Sequence, residues 1–207
     1  MGEVQSRPAD VARDAGRAGP AGRDDATLIA ESLHVPERFA AIFDRHAPAI
    51  RIYVAHRLGR DAADDLVAEA FLVAFQRRAG YDVAHLDARP WLYGIATNLI
   101  RRHRRDEAGL YRAIARSAVD PPAELIADQV TRRVAAQAAR RRLASALARL
   151  AGAQRDVLLL VASGLSVQET ATALDVPVGT VASRLARARR RIRAEFGGAS
   201  PLEDQKE

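Results

Sequence analysis

"LSVQETATALDVPVGTVASRLARARRR", residues 165–191, decides how the chain is read. Ser166-Val167-Gln168-Glu169 has the spacing of a capping box, in which the hydroxyl accepts from the Glu169 amide and the Glu169 carboxylate reaches back. A short helix over 167–174 then buries Val167, Ala171 and Leu174, and the small Ala171 lets a second helix come close. Asp175-Val176-Pro177 supplies a turn, and the second helix starts near Val178. At about 100° per residue, Val181, Leu185, Ala188 and Ile192 fall in one narrow stripe, the packing face. Ser183, Arg187 and Arg190 lie opposite, with Ala186 between them. One face asks for a core and the other for an anion. Two short helices, a three-residue turn and an arginine face on the second helix form a helix-turn-helix, and Gly179 keeps bulk out of the end that enters a major groove.

Position along that second helix assigns the roles. Ser183, Arg187 and Ala186 point outward near its start, within reach of base edges. Thr180 and Arg184 suit the flanking backbone, whereas Arg190, Arg191 and Arg193 lie farther along and suit phosphate, which carries affinity but no sequence information. The competing reading is a solvated charged face on a structural helical hairpin.

Bulk properties fit a polyanionic partner without requiring one. The 207-residue chain carries a net charge of +6 and a sequence pI near 10.6. Lysine occurs only at Lys206, while arginine and alanine are everywhere, a pattern that a GC-rich coding sequence also produces. Arrangement, not composition, therefore has to decide. With no cysteine, disulfides and thiolate metal sites are excluded. The five histidines lack metal-ligand spacing, so no metal or other cofactor is expected. No apolar run is long enough for a membrane span and no signal-peptide core is present, which leads us to expect a soluble cytoplasmic protein without membrane insertion. No nucleophile–base pair, phosphate-cradling glycine loop or metal cluster is found either, so the protein is not expected to be an enzyme.

Helical periodicity runs on both sides of one break, and strand alternation appears nowhere, which predicts an all-α chain of two small helical domains joined by a flexible linker. Residues 1–34 mix Gly, Pro, Ala, Arg and Asp without period and predict a disordered tail. Phe39, Ile42 and Phe43 form one stripe, and Ile50, Val54 and Leu58 the next; Pro48 is expected to bend or break the helix between them and Gly59 to close it. A helix over "DAADDLVAEAFLVAFQRRAG" follows, with Asp61 as its N-cap. After the loop "YDVAHLDAR", Pro90 opens a helix whose apolar face is Trp91, Leu92, Ile95 and Leu99. Asn98 borders that face, and Arg101, Arg102, His103, Arg104 and Arg105 crowd the helix end. Asp120-Pro121-Pro122 marks the clearest boundary, with 107–121 as linker. Past it, Leu143, Leu147 and Leu150 form a stripe, "QRDVLLLVASG" makes a short buried helix stopped by Gly164, and 198–207 is again tail-like.

"ADDLVAEAFLVAF", "ARPWLYGIATNLIRRHRR" and "ALARLAGAQRDVLLLVASGLSVQETATALDVPVGTVASRLARARRRI" together resemble, in order, the two conserved domains of bacterial sigma-70-type initiation factors, and specifically the small extracytoplasmic-function (ECF) group. The resemblance covers about 37–106 and 123–196. It implies a region 2 domain over 35–106 and a region 4 helix-turn-helix domain over 122–197. Region 4 would read the promoter −35 element through Ser183, Arg184 and Arg187, and region 2 would take the non-template strand of the −10 element along Asn98, Arg101, Arg102, Arg104 and Arg105. The loop 79–87 would house a flipped base. Asp64, Asp65 and Glu69 would dock on core RNA polymerase at the clamp helices of the β′ subunit, although compensation of a helix dipole also accounts for Asp64 and Asp65. The other implied partners are the flap of the β subunit, promoter DNA and an anti-sigma factor, and the linker would run along the polymerase channel towards the RNA exit. The chain departs from the family where Ala68, Ala70, Ala182 and Ala186 replace larger or polar residues, and at Arg102, where an acid or amide is usual. Two rivals stand beside this reading: a self-sufficient regulator of the response-regulator type, and a recombinase-like enzyme whose one available acidic cluster would be Asp64, Asp65 and Glu69.

Overall fold

The computed structural model describes residues 23–116 and 127–196. Among them every regular element is helical. In chain order these are α1 (Asp25–Glu31), α2 (Ala40–Leu58), α3 (Ala63–Arg77), α4 (Arg89–Arg102), α5 (Arg104–Arg116), α6 (Ala127–Arg149), α7 (Gly152–Ala162), α8 (Val167–Leu174) and α9 (Val178–Glu195), with short 3-10 turns at Pro36–Phe39 and Arg78–Gly80. The first unit is built on α2, α3 and α4. Ile42, Ile50 and Val54 meet Leu66, Val67 and Phe71 across α2 and α3, and Leu92, Ala96 and Ile100 of α4 close the core. Phe39 sits edge-on to Phe75 at 5.5 Å between ring centroids, an arrangement that suits the aromatic quadrupole.

Three sequence expectations need correction here. Pro48 does not interrupt the first helix, because α2 runs through it without a break. Both Pro48 and Asp44, whose carbonyl loses its amide partner, lie on the exposed side, where water replaces the missing bond. Asp61 does not cap α3. A turn closed by the Ala63 amide on the Arg60 carbonyl (3.1 Å) precedes the helix, and Ala62 occupies the cap position. In the second unit Leu147 and Leu150 are buried as expected, but Leu143 is exposed, its place in the core taken by Ala144 and Ala146.

The N-terminal boundary also moves. The part of the expected tail over 25–31 is a helix, its N-cap formed by Asp24, whose carboxylate accepts from the Thr27 amide at 2.7 Å. Leu28 and Ile29 enter the core. Asp25 is buried with them and ties three segments together. Its carboxylate accepts from Arg45, from His46 Nε2 at 2.7 Å and from the Ala88 amide at 2.9 Å, while its own amide donates to the Leu86 carbonyl at 3.1 Å. Burial by itself would raise the Asp25 pKa, but the bond and charge of His46, then the Ala88 amide and Arg45, hold it below the usual carboxylate value. A helix of two turns is too short to declare a period in sequence. Residues 1–22 of the expected N-terminal tail, and the whole expected C-terminal tail over 198–207, lie outside the described residues.

The expected linker is partly ordered as well. Helix α5 carries the chain to Arg116, with Glu107 and Tyr111 buried one turn apart, and it lies along α6. Tyr111 donates its hydroxyl to the His56 carbonyl at 3.0 Å. The remainder of the expected linker, 117–121, lies outside the described residues.

Ile29→Ala distinguishes an anchoring helix from a tail. Ile29 is 1% exposed, so its truncation is expected to cost about 2–5 kcal/mol through lost burial and a residual cavity. Urea denaturation should show a lower midpoint; an unchanged midpoint would return α1 to the tail.

Candidate nucleic-acid interface

The helix-turn-helix forms as its sequence requires. Glu169 N–H donates to Ser166 Oγ at 3.1 Å, and Ser166 N–H donates to Glu169 Oε2 at 2.7 Å, completing the capping box. Helix α8 ends when Asp175 takes the left-handed conformation (φ 52°, ψ 54°), a region that the short polar Asp side chain tolerates better than most. The Val176 amide then closes back on the Ala171 carbonyl at 3.1 Å. Val181, Leu185, Ala188 and Ile192 of α9 are all buried, so the predicted packing stripe is the observed one. Val167 is only partly buried, unlike Ala171 and Leu174.

The outward face of α9 is graded. Thr180, Ser183 and Arg184 are half-buried, whereas Arg187, Arg190 and Arg191 are exposed. Ser183 Oγ donates to the Thr180 carbonyl at 3.0 Å and accepts from Arg187 Nη2 at 3.3 Å. The serine thus presets the arginine one turn later. A Cβ built on Gly179 would meet nothing within 4 Å, which leaves the start of the helix open to a groove.

At the end of α4 the expected strand-reading residues separate into groups. Asn98 is exposed and accepts from Arg101 Nη1 at 2.9 Å. Arg101 turns its Nε to Asp156 Oδ2 of α7, 3.0 Å away. Arg102 is exposed, with Nη1 3.8 Å from Glu69 Oε1. The side chains of Arg104 and Arg105 lie outside the described part of the structure. Trp91 is partly buried against the core, its ring 4.9 Å from that of Tyr81.

Asp64, Asp65 and Glu69 stand exposed along α3. Asp64 pairs with Arg51, and that guanidinium, by hydrogen bond and by charge, lowers the Asp64 pKa. Between α2 and α3 runs a groove of about 630 Å³ whose lining includes Phe43, Pro48, Ile52, Val67 and Asp64. Phe43 and Ile52 are exposed there, and Leu72 adds a further exposed apolar side chain on α3. Elsewhere Asp25, His46 and Asp87 bring ligand atoms within 4.8 Å of one another. Arg45 sits on the same carboxylate, and its charge disfavours a cation at that place.

A charged network at the junction of the two units was not legible in sequence. Arg57 of α2, 1% exposed, donates from Nε to Glu107 Oε1 (2.6 Å), from Nη1 to Tyr53 Oη (2.7 Å) and from Nη2 to Asp156 Oδ1 (2.6 Å). Arg155 of α7 donates to the other Glu107 oxygen at 2.9 Å, and to the carbonyls of Leu147 and Leu150 at 2.9 and 3.0 Å. Burial would discharge Arg57, but Tyr53, Glu107 and Asp156 raise its pKa further above an already high value, so it stays a cation. Two carboxylates and two guanidiniums balance inside, with Arg101 at the rim. The one sequence signal was Asp156 itself, a charge set at the start of the apolar run "VLLLVA".

The comparisons with known proteins follow the same division. The model described as "Sigma-70 region 2" matches residues 42–116, and that described as "Sigma-70, region 4" matches 140–192. The first match ends where α5 ends. The ECF RNA polymerase sigma factor SigL of Mycobacterium tuberculosis is 34% identical over 158 residues, 74% of this chain and 85% of SigL. SigM of the same organism is 36% identical over 189 residues, covering 84% of this chain and 86% of SigM. Among solved structures, CnrH in complex with the cytosolic domain of CnrY aligns with TM-score 0.59 and 25% identity, over 85% of this chain and 99% of CnrH. The fold is also shared with the sigma factor RpoE in complex with the anti-sigma factor NepR from Bartonella quintana (TM-score 0.54, 22% identity, 78% and 98% coverage).

Ser166→Ala removes the hydroxyl that caps α8. It is expected to lower stability by about 1 kcal/mol, read as a fall in melting temperature of roughly 2–4 °C. No fall would mean that the capping box does not hold the first helix of the motif.

Proposed function

The chain belongs to the ECF group of sigma-70 RNA polymerase sigma factors, and from that premise we propose how its surfaces divide the work. It is a transcription initiation factor that binds core RNA polymerase and recognises the −35 and −10 elements of a promoter. The observation that carries the division is an arginine-faced α9 on one unit and a basic helix end, Asn98 to Arg102, on the other.

In this reading α9 enters the major groove of the −35 duplex. Ser183 and Arg187 address base edges, Thr180 and Arg184 the flanking backbone of the −35 element, and Arg190 and Arg191 phosphates. The preset Arg187 supports its role, because a guanidinium already oriented by Ser183 loses less freedom on binding. Asn98, Arg101, Arg102, Arg104 and Arg105 form the strand-binding surface for the −10 element. A single strand exists there only after melting, so affinity for it pulls the duplex towards the open form. Asp64, Asp65 and Glu69 dock on the β′ clamp helices. The exposed Phe43, Ile52 and Leu72 beside them favour docking over dipole compensation alone, since apolar exposure of this kind asks for a partner. The region 4 unit would reach the β flap, and an anti-sigma factor is proposed as a further partner. The contribution to initiation is binding energy, with chemistry left to the polymerase. A response-regulator arrangement draws no support from the helical first unit, which has no strand among the described residues.

Two substitutions separate base reading from phosphate contact. Arg187→Ala is expected to weaken binding of a good promoter by about 1–3 kcal/mol and to relax preference at one −35 base pair in a promoter-library selection. Equal losses on every sequence would remove the base contact. Arg190→Ala should weaken all sequences alike and flatten the slope of log K against log salt by about one. An unchanged slope would remove the phosphate contact.

A further inference from the structure

We propose that Asp25 of α1 is a positioning residue for −10 recognition: it holds the loop between α3 and α4 in the one conformation that receives a base of the melted strand. This rests on the proposed −10 role of the first unit. The loop, residues 81–88, runs directly into α4, the helix whose far end carries Asn98 and Arg101. It turns Val83, His85 and Leu86 outward, and all three are exposed. Two apolar side chains and an imidazole on one short loop make a surface that stacks on or encloses an unpaired base. Such a loop reads a base well only if it already has its bound shape, because a segment that orders on binding gives up affinity.

The loop ties its first half to itself. Asp82 Oδ1 accepts from the Ala84 amide at 3.0 Å, the His85 amide donates to the Asp82 carbonyl at 3.0 Å, and the Tyr81 hydroxyl donates to the His85 carbonyl. Its second half is held from α1. The Asp25 amide donates to the Leu86 carbonyl at 3.1 Å, and the Asp25 carboxylate accepts from the Ala88 amide at 2.9 Å, so the main chain and side chain of one residue bracket Asp87. Asp87 in turn accepts from the Arg89 amide at 2.8 Å, at the start of α4. The other end of α1 reaches the approach to the loop, where Arg78 Nε donates to the Ser32 carbonyl at 3.4 Å. The Asp25 carboxylate is itself buried and gripped by α2, with Oδ1 taken by Arg45 and Oδ2 by His46 Nε2 at 2.7 Å. Arg45 also donates to the Arg23 carbonyl at 3.3 Å, which fixes the chain as it enters α1. Order thus passes from α2 through Asp25 to the loop. Helix α1 lies outside the stretch 42–116 that the region 2 model matches, so the residue that makes this hold is one the match does not take in.

Asp25→Ala and Asp25→Asn release the loop without altering a side chain proposed to face the strand. Asparagine offers a single oxygen, which cannot serve both Arg45 and the pair formed by His46 and the Ala88 amide. The full chain, these two variants and Val83→Ala, His85→Ala and Leu86→Ala are each combined with core polymerase and a promoter library randomised in both elements. Preference at a position is a ratio among transcripts, so molecules that fail to fold drop out of it and a merely structural loss leaves it unmoved. A base that is read is preferred roughly 5- to 150-fold. Both Asp25 variants are expected to lose at least about fivefold of the preference at one −10 position, the same position that a loop variant changes, with −35 preferences intact. Hydrogen exchange over 81–88 in the free full-length proteins should be faster in both. Unchanged −10 preference in the Asp25 variants, beside a loop variant that does change it, overturns the positioning role alone. Equal flattening of −10 and −35 preferences also overturns it. If no loop variant moves a −10 preference, the loop receives no base and the proposal falls with it; if the unaltered chain shows no −10 preference at all, the proposed role of the first unit falls as well. Should Asp25→Ala give no transcripts, Asp25→Asn decides, and unchanged exchange in both variants overturns the proposal by itself.

Discussion

Asp156 is a carboxylate buried in the second unit, and among the described residues its side-chain partners all come from the first unit. Arg57 and Arg101 meet it from the first unit, and Glu107 on α5 joins Arg57 to Arg155. The guanidiniums that enter this region find carboxylates, carbonyls or the Tyr53 hydroxyl. A half-complete network would be worse than an apolar core, because an unpaired ion in low dielectric keeps its desolvation cost. The two units meet in a register that brings Gly94 against Ala173 and pairs the ions.

This constraint changes how α5 is understood. Its buried residues are Glu107 and Tyr111, not a row of leucines, so it belongs to the junction more than to either core. It connects to α2 through Glu107 and Tyr111 and lies along α6 for much of its length. As far as Arg116, the segment expected as a linker is a strut, and the region 2 match takes it in.

The sequence was most transparent where one physical rule acts alone. Ser166 and Glu169 specify a cap, Val181, Leu185, Ala188 and Ile192 specify a face, and both appear as read. Short-range rules failed where exposure or tertiary contacts decide the outcome. Pro48 stays within α2 because solvent satisfies the orphaned carbonyl. Helix α1 was lost among Gly, Pro and Arg because only Leu28 and Ile29 signal it, while its anchor, Asp25, looks like any surface acid. The junction was the least legible feature. Arg57 resembles an ordinary basic residue in a last turn, and Glu107 one more charge after an arginine run. Only the fold shows that they sit beside each other and beside Asp156. Arg101 was singled out by the resemblance as a strand contact, but its partner across the seam was invisible, since Asp156 comes fifty-five residues later in the chain.

The absence of cysteine makes the decisive observation practicable, because two introduced cysteines carry the only spin labels. With labels on the exposed Gln76 of α3 and Gln168 of α8, pulsed electron resonance reports the distance between the units directly. The free protein should give one narrow distance, set by the paired junction. A broad distribution in the free protein would contradict a junction held by Arg57, Arg101 and Asp156.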